Sequence, residues 1–480
     1  MKNQHNAQKR YLKSNRLTIG VLLFLSCFTS CKKELTVDPP TNTLATGSVF
    51  KNDGSVIAAQ LAVYSLINAN QGTLELYSGL SSDELTNYSN TQLKVDLYHN
   101  NLAQQNDGGL GSIWNIIYGA IYGENAILQN LPSSNGISPR IKQLTTGEAL
   151  FGRAYLYFQL VNMFGDVPLV LTTDYTKNSA LPRTPKDQVY GQIVTDLKAA
   201  QGLLSQNYLD PSDNVTTDKV RPTTWAADAL LARVYLYMGK YDLAEQQASL
   251  VIASSNFSLS PISGANSVFT INSSEAIWQL TPSTSTKFTN EGLNFVIVKN
   301  PTSSIGGVSL SPQMLNAFEA NDARQVNWIG SFSQGSNTWY FPYKYKATST
   351  ATILTEYSMV LRLGEQYLIR AEARAQQGKL IGPASASEDL NIIRMRAGLP
   401  NYAGMTDQTS LLTAIMHERQ VELFTEGHRW YDLKRTKTVD AVMSVVTPTK
   451  NGTWQSYQQL YPLPVADLTY DPNLVQNTGY

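Results

Sequence analysis

Residues 145–164 constrain the fold more than any other stretch. Leu150, Phe151, Ala154, Tyr155, Phe158, Leu160, Val161 and Phe164 would, wound into an α-helix, cover nearly its whole circumference. A helix that is apolar all round has no face to offer water, so it must run through the middle of a fold that other elements wrap. The segment opens on Thr145-x-x-Glu148, the pattern of a capping box, and stops at Gly165, which tolerates the left-handed conformation that ends helices. A central helix over 145–164 is therefore predicted. Amphipathic helices are predicted over 53–70 (Val56, Ala59, Leu61, Val63, Tyr64, Ile67) and 112–131 (Trp114, Ile117, Tyr118, Ile121, Leu128), with a polar loop between those two.

Residues 225–248 read as two helices meeting at Gly239. Ala229, Ala232, Ala244 and Ala248 let the pair approach closely, and Tyr241 is placed to wedge between them. This resembles a tetratricopeptide unit, whose period is about 34 residues. A weaker echo starts at Tyr357, where Leu361, Leu363, Tyr367, Leu368 and Ala371 line a helix ending near Gly378, followed by another over 390–395. With the earlier helices this makes three or four pairs. The expected fold is mainly α, a short right-handed tetratricopeptide-like superhelix of the kind that often carries a protein partner.

Residues 256–345 break the pattern, being rich in Ser, Thr, Asn and Gly with β-prone runs at 276–280 and 294–298 and at most one helix, over 311–320. Irregular polar segments on a rigid scaffold are where ligand sites tend to sit. Only 15% of residues are charged and 26 are tyrosines. That balance suits neutral polar ligands such as sugars, because an aromatic face covers C–H groups while hydroxyls and amides meet the OH groups.

The N-terminus reads as an export signal. Lys2, Lys9, Arg10, Lys13 and Arg16 stand with no acid, and the apolar stretch 17–28 is too short to span a bilayer of about 30 Å. Small residues then precede a cysteine in Phe28-Thr29-Ser30-Cys31, which resembles a lipobox, although Phe28 stands where leucine is usual. Residues 1–30 are read as the lipoprotein signal peptide, Cys31 as the lipidated first residue of the mature chain, and 31–50, with Pro39 and Pro40, as a spacer. Cys27 and Cys31 are the only cysteines, so the mature chain would have neither a disulfide nor a cysteine-based metal site. A chain of this length can bury a large core without disulfides. Loss of residues 1–30 leaves 32 Lys plus Arg against 37 Asp plus Glu. Such a mildly acidic surface speaks against a nucleic-acid partner.

Three segments together carry a family resemblance. Residues 148–170 read Glu-Ala-Leu-Phe-Gly-Arg-Ala-Tyr-Leu-Tyr-Phe-Gln-Leu-Val-Asn-Met-Phe-Gly-Asp-Val-Pro-Leu-Val. Residues 417–435 read His-Glu-Arg-Gln-Val-Glu-Leu-Phe-Thr-Glu-Gly-His-Arg-Trp-Tyr-Asp-Leu-Lys-Arg. The end carries Tyr461-Pro-Leu-Pro and then Asp471-Pro-Asn-Leu-Val-Gln-Asn-Thr-Gly-Tyr480. All three resemble the SusD/RagB family of nutrient-uptake outer-membrane lipoproteins, in the same order and at family-like separations. The resemblance implies a helical half over 51–255 and a second half over 256–480 that holds the irregular insertion, closing helices and tail. It also implies a non-catalytic, surface-exposed glycan-binding protein that needs no cofactor and delivers oligosaccharide to a SusC-like TonB-dependent transporter. In such proteins the helical repeats face the transporter and the irregular half carries the sugar.

Glu418, Glu422 and Glu426 recur every four residues beside His417 and His428, but a zinc protease needs His-Glu-x-x-His and Val421 stands at the fifth place. Arg419, Arg429 and Arg435 alternate with Glu422, Glu426 and Asp432, which predicts ion pairs that pin this helix against its neighbours. The two acids of a glycosidase usually come from different segments, so spacing leaves a surface glycosidase or peptidase open, as it does an adaptor with no small-molecule ligand. Trp114, Trp225, Trp278 and Trp430 lie in periodic or family-like segments and are expected in the core, and Tyr343-Lys344-Tyr345 reads as structural. Elimination leaves Asn87 and Tyr88, Phe288 and Asn290, and Trp339 with Tyr340 as exposed candidates for carbohydrate contact.

If Cys31 carries the lipid, Cys31→Ser removes the only acylation site and the protein is released or left unprocessed. Metabolic palmitate labelling checks this: incorporation should vanish in the variant, and label that persists would refute the anchor.

Overall fold

The structure is a computed structural model that describes residues 49–103, 108–283, 285–302 and 307–480. The signal, Cys31 and most of the spacer lie outside the described residues. The chain from Phe50 onward begins with helices α1 (Asp53–Asn70), α2 (Thr73–Ser81), α3 (Gln92–Tyr98), α4 (Gly108–Asn130), α5 (Pro139–Phe164) and α6 (Lys186–Leu203), with strand β1 (Leu85–Asn87) between α2 and α3. A hairpin follows, α7 (Thr224–Tyr237) and α8 (Tyr241–Ala253). The irregular stretch holds β2 (Ala276–Leu280), α9 (Asn290–Phe295), β3 (Val308–Leu310), β4 (Ile329–Gln334), β5 (Asn337–Pro342) and β6 (Ser358–Arg362). It is closed by α10 (Leu363–Gln376), α11 (Ala386–Arg396), α12 (Gln408–Leu423), α13 (Arg429–Arg435) and α14 (Val439–Thr449).

Helix α5 is the predicted central helix, buried on every side from Phe151 to Phe158. It starts earlier than the capping-box pattern suggested. Ser138 accepts from the Ile141 N–H at 3.4 Å and Pro139 occupies the first turn, a pairing that starts a helix more directly. Thr145 is thereby enclosed in the helix body, and Glu148 binds Arg221 at 2.6 Å and Tyr64 at 3.1 Å instead of capping. Gly165, at φ +78°, ends the helix as expected.

Helix neighbours in sequence are neighbours in space: α4 packs on α5, α5 on α6, α6 on α7, α7 on α8, α8 on α10, and α10 on α11 and α12. This is the predicted tetratricopeptide-like stacking. Gly239 turns the α7–α8 hairpin at φ +68°, and Ala229, Ala232, Ala244 and Ala248 are fully buried along the stacked helices. Trp225, expected in the core, is only half-buried at the first turn of α7, where its indole N–H reaches the Gln206 carbonyl at 3.2 Å.

Four further expectations are corrected. The stretch between α1 and α4 is no polar loop, for α2, β1 and α3 bury Leu74, Leu76, Leu80, Leu85, Leu93 and Leu97. The echo helix begins at Leu363 and not Tyr357, because 358–362 pairs antiparallel with β2; a short, wholly buried apolar run has the same pattern as strand or helix. The run 294–298 is not a strand, since Thr289 caps α9 by accepting from the Gly292 N–H at 3.1 Å, and at 311–320 only the single turn Pro312–Leu315 forms. The β-prone run at 276–280 does form a strand. Its Trp278 is fully buried, edge-on to Phe151 and Tyr155 of α5 at 4.9 and 5.4 Å between ring centroids.

A buried ion-pair network ties these parts together. Glu422 of α12 accepts from Arg324 at 2.9 Å, from Arg362 at 2.6 Å and from Arg396. Arg324 also binds Glu418 at 2.6 Å, Arg362 binds Glu275 and Glu426 at 2.7 Å each, and Lys344 reaches Glu426 at 2.5 Å. Arg419 and Arg435 meet on Asp432 at 2.8 and 2.7 Å, and Arg429 pairs with Asp83 of a neighbouring segment at 2.7 Å, both as the sequence predicted. Burial alone would push the Glu422 carboxyl up; the Arg396, Arg362 and Arg324 guanidiniums overcome it and hold it well below the usual carboxylate range.

Glu422→Gln should therefore cost about 3–5 kcal/mol near neutral pH, because it leaves buried guanidiniums uncompensated. The folded-state pKa lies below the unfolded one, so this stabilisation is present above roughly pH 4.3 and is lost as pH falls through the folded value. Urea unfolding of both proteins at pH 7 and pH 3 checks the sign: the stability gap should be large at pH 7 and shrink at pH 3.

Candidate functional site

The irregular residues gather into one face built from the β1–β3 ribbon, the β4–β5 hairpin and α9. The hairpin turns at Gly335, φ +62°, and pairs Phe332 with Trp339 and Ser331 with Tyr340. Because strand side chains alternate, Trp339 and Phe341 point inward and Tyr340 points out. Trp339, Phe341 and Ile297 form a small cluster, with Tyr88, Val296, Phe332 and Tyr343 packed against it. The structure thus brings two predicted residues, Tyr88 and Trp339, into one cluster. Trp339 is not an exposed platform, however, retaining 8% of its surface, whereas Tyr340 keeps 46%.

The remaining candidates are tied more tightly than an exposed loop would allow. Asn87 closes a local turn, donating to the Ser89 carbonyl and accepting from the Ser89 N–H, each at 3.0 Å. The Tyr88 hydroxyl lies 3.2 Å from Ser309 Oγ, and its N–H extends the ribbon by donating to the Gly307 carbonyl at 2.9 Å. Asn290 opens α9 and donates to the Asn68 carbonyl at 3.1 Å, while Phe288, two residues earlier, is half-buried. Leu293 and Val298, 53% and 61% exposed, were missed because neither is aromatic nor amide. An exposed ring, exposed aliphatic groups and nearby hydroxyls can stack on and hydrogen-bond a polar ring compound.

Beneath this face lie carboxyl groups with raised pKa values. Burial pushes Glu84 up to about 8, helped by Asp83, and Glu75 up to about 8, helped by Glu291. Burial also holds the His428 imidazole well below its ordinary value, with Arg233 and Arg419 adding to the effect. Glu75 and His428 line a cavity of ≈ 30 Å³, room for water but not for a sugar ring. A paired-carboxylate mechanism would need such acids to flank a substrate. His417 and Glu418 are likewise engaged internally, with the Ala317 carbonyl at 2.7 Å and with Arg324.

Comparison with known proteins agrees with this architecture. A family model described as "Starch-binding associating with outer membrane" matches residues 52–236, and the model of the SusD family matches 329–480. A SusD-like protein of Formosa agariphila is 26% identical over 98% of this chain and 100% of its own length. The starch-binding protein SusD of Bacteroides thetaiotaomicron is 34% identical over 139 residues, covering 28% of this chain and 24% of that protein. A solved laminarin-binding SusD-like protein superposes with a TM-score of 0.72 at 24% identity, covering 90% of this chain and all of that one. Among the described residues no helix is long and apolar enough to cross a membrane.

Proposed function

The chain belongs to the SusD/RagB family, and on that premise we propose that it is a non-catalytic, lipid-anchored outer-membrane protein that captures neutral oligosaccharide at the cell surface. It hands that ligand to a SusC-like TonB-dependent transporter, with the stacked helices as the docking side. The observation that carries the reading is Tyr340, an exposed ring held on a hairpin whose opposite side is locked by Trp339, Phe341 and Tyr88. A ring that is already fixed loses little conformational freedom when a sugar stacks on it. Starch binding by SusD and laminarin binding by a structural neighbour support a glucan as the ligand class. Glu75 and Glu84 beneath the face are buried, and the cavity beside Glu75 is too small for a sugar ring, which supports binding without turnover.

Calorimetric titration with laminarin oligosaccharides and maltooligosaccharides tests the reading. Tyr340→Ala should weaken binding by about tenfold with an unchanged Tm, since an exposed stacking ring contributes contact but little core burial. Trp339→Ala should instead cost about 3 kcal/mol of stability. Unaltered affinity in Tyr340→Ala, Tyr88→Ala and Phe288→Ala would move the sugar surface elsewhere, and shortening of the ligand that tracks the protein through purification would make it an enzyme.

A further inference from the structure

Away from the irregular face, a cleft of ≈ 910 Å³ opens where the C-terminal end of α5, the start of α6, the α7–α8 turn, the end of α13 and the C-terminal tail converge. Its size lies within the range of about 300–1,000 Å³ typical of small-molecule sites. Five cations, Arg183, Lys186, Lys240, Lys434 and Lys437, line it and make no direct ion pair among the described residues, although the Asp166 carboxylate acts on Arg183 through space. Arg183 is held rigidly by neutral acceptors, the carbonyls of Asp166 at 2.8 Å and Val475 at 2.9 Å and the Asn477 side chain at 2.5 Å. Lys434 donates to the Asn162 carbonyl and lies 5.2 Å from the centre of the Tyr431 ring. Burial, with a smaller contribution from the Lys186 ammonium, pushes Lys434 down to about 7, so near neutral pH it is partly charged and an anion beside it would favour its protonated form. Lys186, Lys240 and Lys437 are exposed at the rim.

Few acids offset this charge. Asp166 is occupied in capping α6, accepting the Lys186 N–H at 2.8 Å, and Asp187 is the other carboxylate of the lining. Arg435, also in the wall, is neutralised by Glu372 and Asp432. A local excess of positive charge on an otherwise mildly acidic chain draws anions, and low-dielectric walls focus that field. The five cations come from three segments, 183–186, the α7–α8 turn and 434–437, and a cleft of ≈ 910 Å³, which one small oxyanion would not fill, has room for a chain that carries several anionic groups. Tyr457, 36% exposed and set edge-on against Tyr480, adds an aromatic surface to the same lining.

We infer that this cleft is a second ligand site, one that takes an acidic oligosaccharide whose carboxylates or sulfates lie against Arg183, Lys186, Lys434 and Lys437 and whose ring face meets Tyr457. The site is separate from the irregular face and does not rest on the neutral-glycan reading. Titration of the purified protein with tetragalacturonate tests it, with inorganic sulfate as the free-anion comparison. Saturable binding is expected, weakened by about tenfold or more in the Lys186→Glu/Lys437→Glu double variant at unchanged Tm. Charge reversal at Lys198 and Lys287, exposed outside the cleft, should leave affinity within about twofold, and so should Tyr88→Ala on the irregular face. The inference falls if no saturable binding occurs, if the outside reversals weaken binding as much as the cleft pair, or if sulfate binds as tightly as tetragalacturonate.

Discussion

Glu422 is the joint on which the structure turns. Its two carboxylate oxygens receive three arginines that arrive from three directions: Arg324 from the short helix before β4, Arg362 from the end of β6 and Arg396 from the end of α11. Glu275, Glu418 and Glu426 extend the same network, all buried or nearly so. Compared with apolar packing of equal volume, such a network gains little net stability. What it supplies is uniqueness, for any arm placed wrongly would leave a bare charge in the interior. The irregular segments between α8 and α10, which have no periodic apolar face of their own, are thereby fixed to the helical scaffold.

That fixation has a functional consequence. The β4–β5 hairpin grows out of the helix carrying Arg324, and Lys344 anchors its far end on Glu426. Between the two anchors, strand alternation turns Trp339 and Phe341 inward and leaves Tyr340 facing out. A surface without regular periodic structure is thus presented by a framework fixed at both ends of the hairpin. The basic cleft lies at the other kind of junction, where helix ends and the C-terminal tail meet, and has the opposite chemical character.

Much of the scaffold was legible in the sequence because it obeys a single period. The all-round apolar pattern of α5, the alanine-lined α7–α8 pair and Gly165 and Gly239 at the turns each predict their structure locally. Legibility failed where a segment is short and buried. Residues 358–362 have no exposed face to reveal a period of two, and α2 and α3 are too brief to display one of 3.6. A tertiary partner also overrode a local signal: Glu148 looked like a cap and instead serves Arg221. Of the candidate site residues, Tyr88 and Trp339 do cluster, but which ring faces out depends on strand register, which a ten-residue window rich in Ser, Gly and Asn does not disclose.

If an ion-pair-locked helical scaffold presents the irregular face to neutral glycan, as proposed, amide hydrogen exchange with and without a saturating laminarin oligosaccharide will register it. Slowed exchange is expected to be confined to residues 86–89, 288–298 and 329–343, with α5, α7 and α8 unchanged. Protection centred on the α7–α8 hairpin, with none on the β4–β5 hairpin, would contradict the proposal.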